Sequence, residues 1–165
     1  MEFIPMKLKH LKNVRDLELR CIREYFETTI ENRWEELPKE WKDNLGASST
    51  RHFRPYLDSG LSFVAVEDDE VYGFIFAQML HHISDVDNMV WIENMGVDPM
   101  VRRNEIGYRL LRETLRTGRD MGADVAHSSI SADNAPSIML HKKIGFFMDP
   151  RQIALIDLKD DKLRL

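Results

Sequence analysis

Short apolar runs alternating with amphipathic helices predict a mixed α/β (α+β) fold, with a central, mostly antiparallel sheet flanked by helices. Three observations carry this. Residues 61–66 and 71–80 are apolar runs joined by the polar turn Glu67-Asp68-Asp69-Glu70, which reads as an antiparallel hairpin. A third strand, 89–97, follows the turn at 85–88 and is stopped by Asp98-Pro99. The strongest helix, 104–122, then leads to another strand, and that β-α-β unit makes the sheet mixed.

The remaining elements follow in order. Residues 3–8 read as a first strand and 10–30 as a helix, with Leu11, Val14, Leu17, Leu19, Ile22 and Phe26 recurring at three- and four-residue steps. Cys21 lies inside this helix as a packed thiol. The stretch 31–46 is acidic and aromatic. Pro38 divides it into two short helical pieces, and Gly46 ends the second. Ser48 or Ser49 caps a further short helix to residue 57, and 58–60 is a turn. In the helix 104–122, Ile106, Leu110, Leu111, Thr114, Leu115 and Met121 form the inward stripe, while Gly118 and Gly122 mark a frayed end. Residues 124–131 are a strand. Pro136 fits the first turn of a helix that runs to Ile144 and closes at Gly145. A final strand is expected at 153–158.

The 165 residues fit a single domain, 1–165, with 43% hydrophobic residues, enough for one core. Lys and Arg total 23 against 28 Asp and Glu, so the net charge of −5 argues against non-specific nucleic-acid or membrane binding. One cysteine excludes an internal disulfide, and the spacings of a structural zinc site are missing. The start has an acid at position 2 and no long apolar segment, so a cytoplasmic location is expected.

The chemistry concentrates between residues 90 and 146. A strand ending in Asn94-Met95-Gly96-Val97-Asp98-Pro99 feeds a basic loop and then a helix N-terminus. Open backbone N–H groups and the helix dipole make that arrangement an anion site, and Arg102 and Arg103 add charge to it.

Here the sequence resembles a known family. Arg102-Arg103-Asn104-Glu105-Ile106-Gly107 is similar to the acyl-CoA pyrophosphate loop of the GNAT superfamily of N-acetyltransferases, with Glu105 standing where the first glycine is expected. The strand 92–99 and the segment 134–146, ending in Gly145-Phe146, are similar to the family's preceding strand and following helix. The resemblance covers the whole chain in element order.

It implies an acyl-CoA N-acyltransferase fold with a sheet splayed in its middle, and acetyl transfer from acetyl-CoA to a primary amine without a covalent intermediate. The backbone at Met95, Gly96 and Val97 would bind the pantetheine arm. Arg102, Arg103, Asn104, Glu105, Ile106, Gly107 and Tyr108 would form the pyrophosphate loop, with Gly107 allowing close approach of helix and phosphate. Asn134 and Ser137 would touch the cofactor arm. His141 stands where relatives carry a tyrosine acid, and is the expected proton donor to the departing thiolate. Glu93 is the expected base for the acceptor ammonium. Strand alternation puts it on the face of Met95.

The acceptor amine, a small molecule or peptide, is expected to be cationic and to meet the variable region 25–56. Trp34, Trp41, Phe53 and Tyr56 would wall its pocket, beside the acids Glu27, Glu31, Glu35, Glu36 and Glu40. No metal is expected: His81 and His82 are adjacent on a strand and point to opposite faces. His10 and His52 read as surface residues and His127 as a packed one. A homodimer is common among such proteins. A non-catalytic acyl-CoA sensor on the same scaffold is the alternative, motivated by Glu105 and the missing tyrosine.

Overall fold

A computed structural model describes residues 1–28, 34–83, 85–151, 154 and 156. Five strands form one sheet in the order β1 (Glu2–Pro5), β2 (Phe63–Glu67), β3 (Glu70–Ile83), β4 (Val86–Val97) and β5 (Val125–Ser128). The first four are antiparallel neighbours, and β5 runs parallel to β4. The β2–β3 turn is tight: Asp68 and Asp69 both take left-handed backbone (φ 49° and 63°), which aspartate tolerates better than most residues. The predicted strand at 153–158 and the predicted helix end at Ile30 lie wholly or mostly outside the described residues.

Helices cover both faces. α1 (Leu11–Thr28) begins after a single 3-10 turn at Leu8–His10. Three short helices follow it, α2 (Lys39–Asn44), α3 (Ala47–Thr50) and α4 (Phe53–Asp58). α5 (Ile106–Asp120) and α6 (Ala135–Ile144) complete the fold. The segment expected as one helix to residue 57 is thus two, with a break at Arg51 and His52. α1 and α4 cover one face through Val14, Leu17, Tyr56, Val64, Phe74 and Phe76. α5 covers the other through Ile106, Leu110 and Leu111, packed on Ile75, Ala77, Val90 and Ile92. Gly118 is buried within α5 and does not mark a frayed end. A Cβ there would collide with Val90 Cγ2, so the missing side chain lets the helix settle on the sheet.

Two irregularities in β4 position the site. Phe76 pairs with Asn94 and Ala77 with Ile92, so Glu93 is the extra residue of a β-bulge. The bulge reverses the alternation of side chains: Val90 and Ile92 pack toward α5, and beyond the bulge Met95 and Val97 do so. The pairing with β5 also ends there, at Ile92 opposite Ser128. From Glu93 to Val97 that edge of β4 has separated from β5, and the sheet is splayed. Among the described residues no helix is long and apolar enough to cross a membrane.

Candidate acyl-CoA and amine site

The splay opens a cleft of about 940 Å³ between β4, the start of α5, α6 and the second half of α1. All the residues predicted to bind the cofactor or to move protons border it except Asn104. Several of them hold positions that the sequence did not foresee.

On the loop side, Arg103 and Glu105 both have left-handed backbone (φ 68° and 58°). That conformation explains why a glycine suits position 105, since a Cβ there costs roughly 1 kcal/mol. Glu105 is the residue just before α5, but its side chain does not cap the helix. It turns away to meet Lys143 Nζ at 2.9 Å, and this ion pair lowers its pKa. The first N–H groups of α5 are therefore left open toward the cleft. Arg102 was expected on the pyrophosphate; instead it forms a two-armed ion pair with Glu24 of α1 (2.8 and 2.5 Å) and donates Nε to the Val97 carbonyl at 3.1 Å. It ties α1 to the end of β4. Arg103 is exposed, and among the described residues no carboxylate pairs with it. Gly107 serves packing: a Cβ would meet Leu140 Cδ2 at 3.2 Å and Val97 at 3.4 Å. Gly96 makes room in the same way for the Phe74 ring, 2.7 Å from a built Cβ, and the bulge lies three residues before it.

Asn134 caps α6, its side-chain oxygen accepting from the Ser137 N–H at 3.2 Å. Ser137 in turn holds His141, whose Nδ1 lies 2.8 Å from the Ser137 carbonyl oxygen. A carbonyl only accepts, so Nδ1 carries the proton. His141 is 1% exposed, its ring stands edge-on to Phe146 at 4.9 Å, and its buried Nε2 has no partner among the described residues. Desolvation pushes its pKa down. Burial therefore favours the neutral imidazole with its proton on Nδ1. To act as the expected proton donor, His141 would first take up a proton at Nε2.

On the far side of the cleft the bulge decides the geometry. Glu93 does not share the face of Met95. Its carboxylate accepts from Trp91 Nε1 at 2.7 Å and interacts with Tyr56 of α4, whose pKa is raised by burial and by the Glu93 charge. Asn94 lies on this same side and donates Nδ2 to Glu18 Oε1 of α1 at 2.7 Å. Glu18, 1% exposed, also accepts from Ser49 Oγ at 2.5 Å, and burial raises its pKa. Sequence reasoning missed Glu18, although the signal was present: it lies four residues after Val14 and seven after Leu11, on the apolar stripe itself.

Trp34, Trp41, Phe53 and Tyr56 do not wall the cleft. Phe26, Leu45 and Phe74 supply its apolar surface, and Trp41 packs behind Phe26 at 5.0 Å. Of the expected acids, Glu27 and Glu35 both pair with Arg23, and Glu31 lies outside the described residues. Cys21 borders the cleft with its thiol toward the Val97 carbonyl at 3.5 Å, and burial raises its pKa. His10, expected at the surface, is buried and accepts from the Lys7 N–H at 3.0 Å. Among the described residues no three His, Cys, Asp or Glu side chains converge as metal ligands would.

A family model described as "Protein of unknown function (DUF1999)" matches residues 1–165. The chain belongs to that family. A comparison with curated proteins finds no match. Among solved structures it is similar to the aminoglycoside N-acetyltransferase AAC(6')-Iy in complex with CoA, at 22% identity and a TM-score of 0.66 over 94% of this chain and 98% of that one. A probable acetyltransferase superposes with a TM-score of 0.71 at 19% identity, covering 98% and 100% of the two chains. TTHA1254 from Thermus thermophilus gives 0.64 at 22% identity over 96% and 98%. This DUF1999 member therefore has the GNAT acetyltransferase fold that its loop, strand and helix motifs resemble.

Proposed function

We propose that the protein transfers an acetyl group from acetyl-CoA directly to a primary amine. One observation carries this reading: the edge of β4 is free of β5 after Ile92, and it runs from the uncapped N-terminus of α5 to a carboxylate, Glu93, at the other side of the cleft. A free strand edge offers N–H and C=O groups to an amide-bearing chain such as pantetheine. The α5 N-terminus with Arg103 suits its diphosphate. CoA in the AAC(6')-Iy structures, one of them with a CoA–acetylneamine bisubstrate, supports the same reading.

Glu93 takes a proton from the acceptor ammonium, giving an amine with a lone pair. The nitrogen attacks the thioester carbonyl, the C–N bond forms, and the C–S bond breaks. A β4 backbone N–H stabilises the oxyanion. His141 begins with a bare Nε2, so it accepts the second nitrogen proton and passes it to the departing sulfur. Cys21, kept as a thiol by burial, takes no part.

The test is a thiol-release assay with acetyl-CoA and a panel of primary amines, with mass spectrometry of the product. Turnover that falls at least tenfold in Glu93→Gln and His141→Ala is expected. Arg103→Ala should weaken CoA binding about tenfold, and Arg102→Ala less. No thermal shift with CoA would sink the reading. Binding without turnover on any amine would leave an acyl-CoA sensor.

A further inference from the structure

Glu18 stands where a core residue belongs, yet it is a carboxylate. Its neighbours on the same stripe, Val14 and Leu17, are apolar and fully buried. A buried charge is costly unless paired, and this one is held by Ser49 Oγ, Asn94 Nδ2 and the charge of Arg15. An ionised carboxylate only accepts hydrogen bonds. It therefore dictates which end of the Asn94 amide it faces: Nδ2 turns to Glu18, and Oδ1 becomes the outward arm. The bulge puts Asn94 and Glu93, consecutive in sequence, on the same side of the strand, and both border the cleft.

We propose that Glu18 is a positioning residue that locks the Asn94 amide so that Oδ1, beside the Glu93 carboxylate, receives the acceptor nitrogen. The inference rests on the acetyltransferase reading above. Two acceptor groups on consecutive residues, both bordering the cleft, fit a group that brings at least two N–H bonds. A primary ammonium supplies them easily; an N-methylated amine has fewer to give, and an alcohol has one.

The experiment measures steady-state rates with acetyl-CoA, using the fastest primary amine of the panel and its N-methyl counterpart. Glu18→Gln can present either end of its amide to Asn94, so it releases the lock. Glu18→Gln and Asn94→Ala are expected to raise KM for the amine about tenfold, the scale of one hydrogen bond to a charged group, while KM for acetyl-CoA stays constant. The preference for the primary amine should shrink. Ser49→Ala removes a different hydrogen bond to Glu18, leaving the Asn94 contact in place, and should lower Tm without changing amine KM. Unchanged amine KM in both variants, or an equal rise in both KM values, overturns the proposal. If the wild-type protein acetylates no amine, the acetyltransferase reading fails by itself. The Asn94 side-chain amide resonance still tests the lock: it should move between wild type and Glu18→Gln, and the same position in both overturns it.

Discussion

The two faces of the sheet are built differently. Under α5 the buried layer is apolar, from Leu61 and Phe63 through Ile75, Val90 and Ile92 to Leu110 and Leu111. Thr114 is its buried polar residue on α5, and its hydroxyl donates to the Leu61 carbonyl at 3.1 Å. Under α1 and α4 the layer also holds Phe74, Phe76 and Leu17, but Glu18, Ser48, Ser49 and Ser62 are buried there too. One face is packed by apolar side chains, and the other gives up some of that packing to bury hydrogen-bonding groups, of which Glu18 borders the cleft. The contrast shows where this fold can host chemistry. The dry face fixes β4 rigidly up to Ile92, and the bulge hands the next residues to the polar face.

The largest test of that contrast is a truncation on the dry side. Leu110→Ala should cost about 4 kcal/mol, because a fully buried leucine leaves a cavity that the sheet cannot close; the urea midpoint reads it. Glu18→Ala, on the polar side, should cost about 2 kcal/mol by stranding Ser49 and Asn94. If it costs as much as Leu110→Ala, the two faces are not distinct in kind.

The pH dependence sharpens the comparison, since buried groups on the two sides of the cleft work in opposite directions. His141 is held below its ordinary 6.5 by desolvation. The unfolded chain therefore takes up the proton first. Its contribution to stability is full above pH 6.5 and is lost as pH falls toward the folded value. Glu18 is raised above its ordinary 4.5 by burial. Its contribution is full below pH 4.5 and is lost as pH rises through the folded value. Urea midpoints across pH should show His141→Gln flattening the acid-side decline, and Glu18→Gln flattening the loss above 4.5.

The smallest effect is at the loop. Glu105→Gly should stabilise by about 1 kcal/mol, raising Tm by about 2–4 °C, because glycine adopts left-handed backbone freely and the lost Lys143 pair is exposed. A lower Tm would mean that the ion pair matters more than the backbone.

The order of elements was legible in the chain because it is written in local patterns. The β2–β3 hairpin follows from two apolar runs around Asp68-Asp69, and the α5 stripe from Ile106, Leu110 and Leu111. Arg103, Asn134, Ser137 and His141, from the loop and helix motifs, border one cleft. The bulge at Glu93 was not legible, since neither glycine nor proline marks it, and it moved Glu93 off the face that plain alternation assigns. The pairing of Arg102 with Glu24 was not legible, because the two lie 78 residues apart. The burial of His141 was not legible from its place before Lys142 and Lys143; the Phe146 ring packs against it and the Ser137 carbonyl fixes its proton on Nδ1.

The sequence by itself determined the fold class, the helix stripes and the basic loop before α5, because these depend on short, regular spacings along one element. The tertiary structure decided that Arg102 pairs with Glu24, which imidazole nitrogen of His141 meets the Ser137 carbonyl, and which groups hold the Glu18 carboxylate. Those properties depend on desolvation and on partners from distant elements, and no local pattern encodes either.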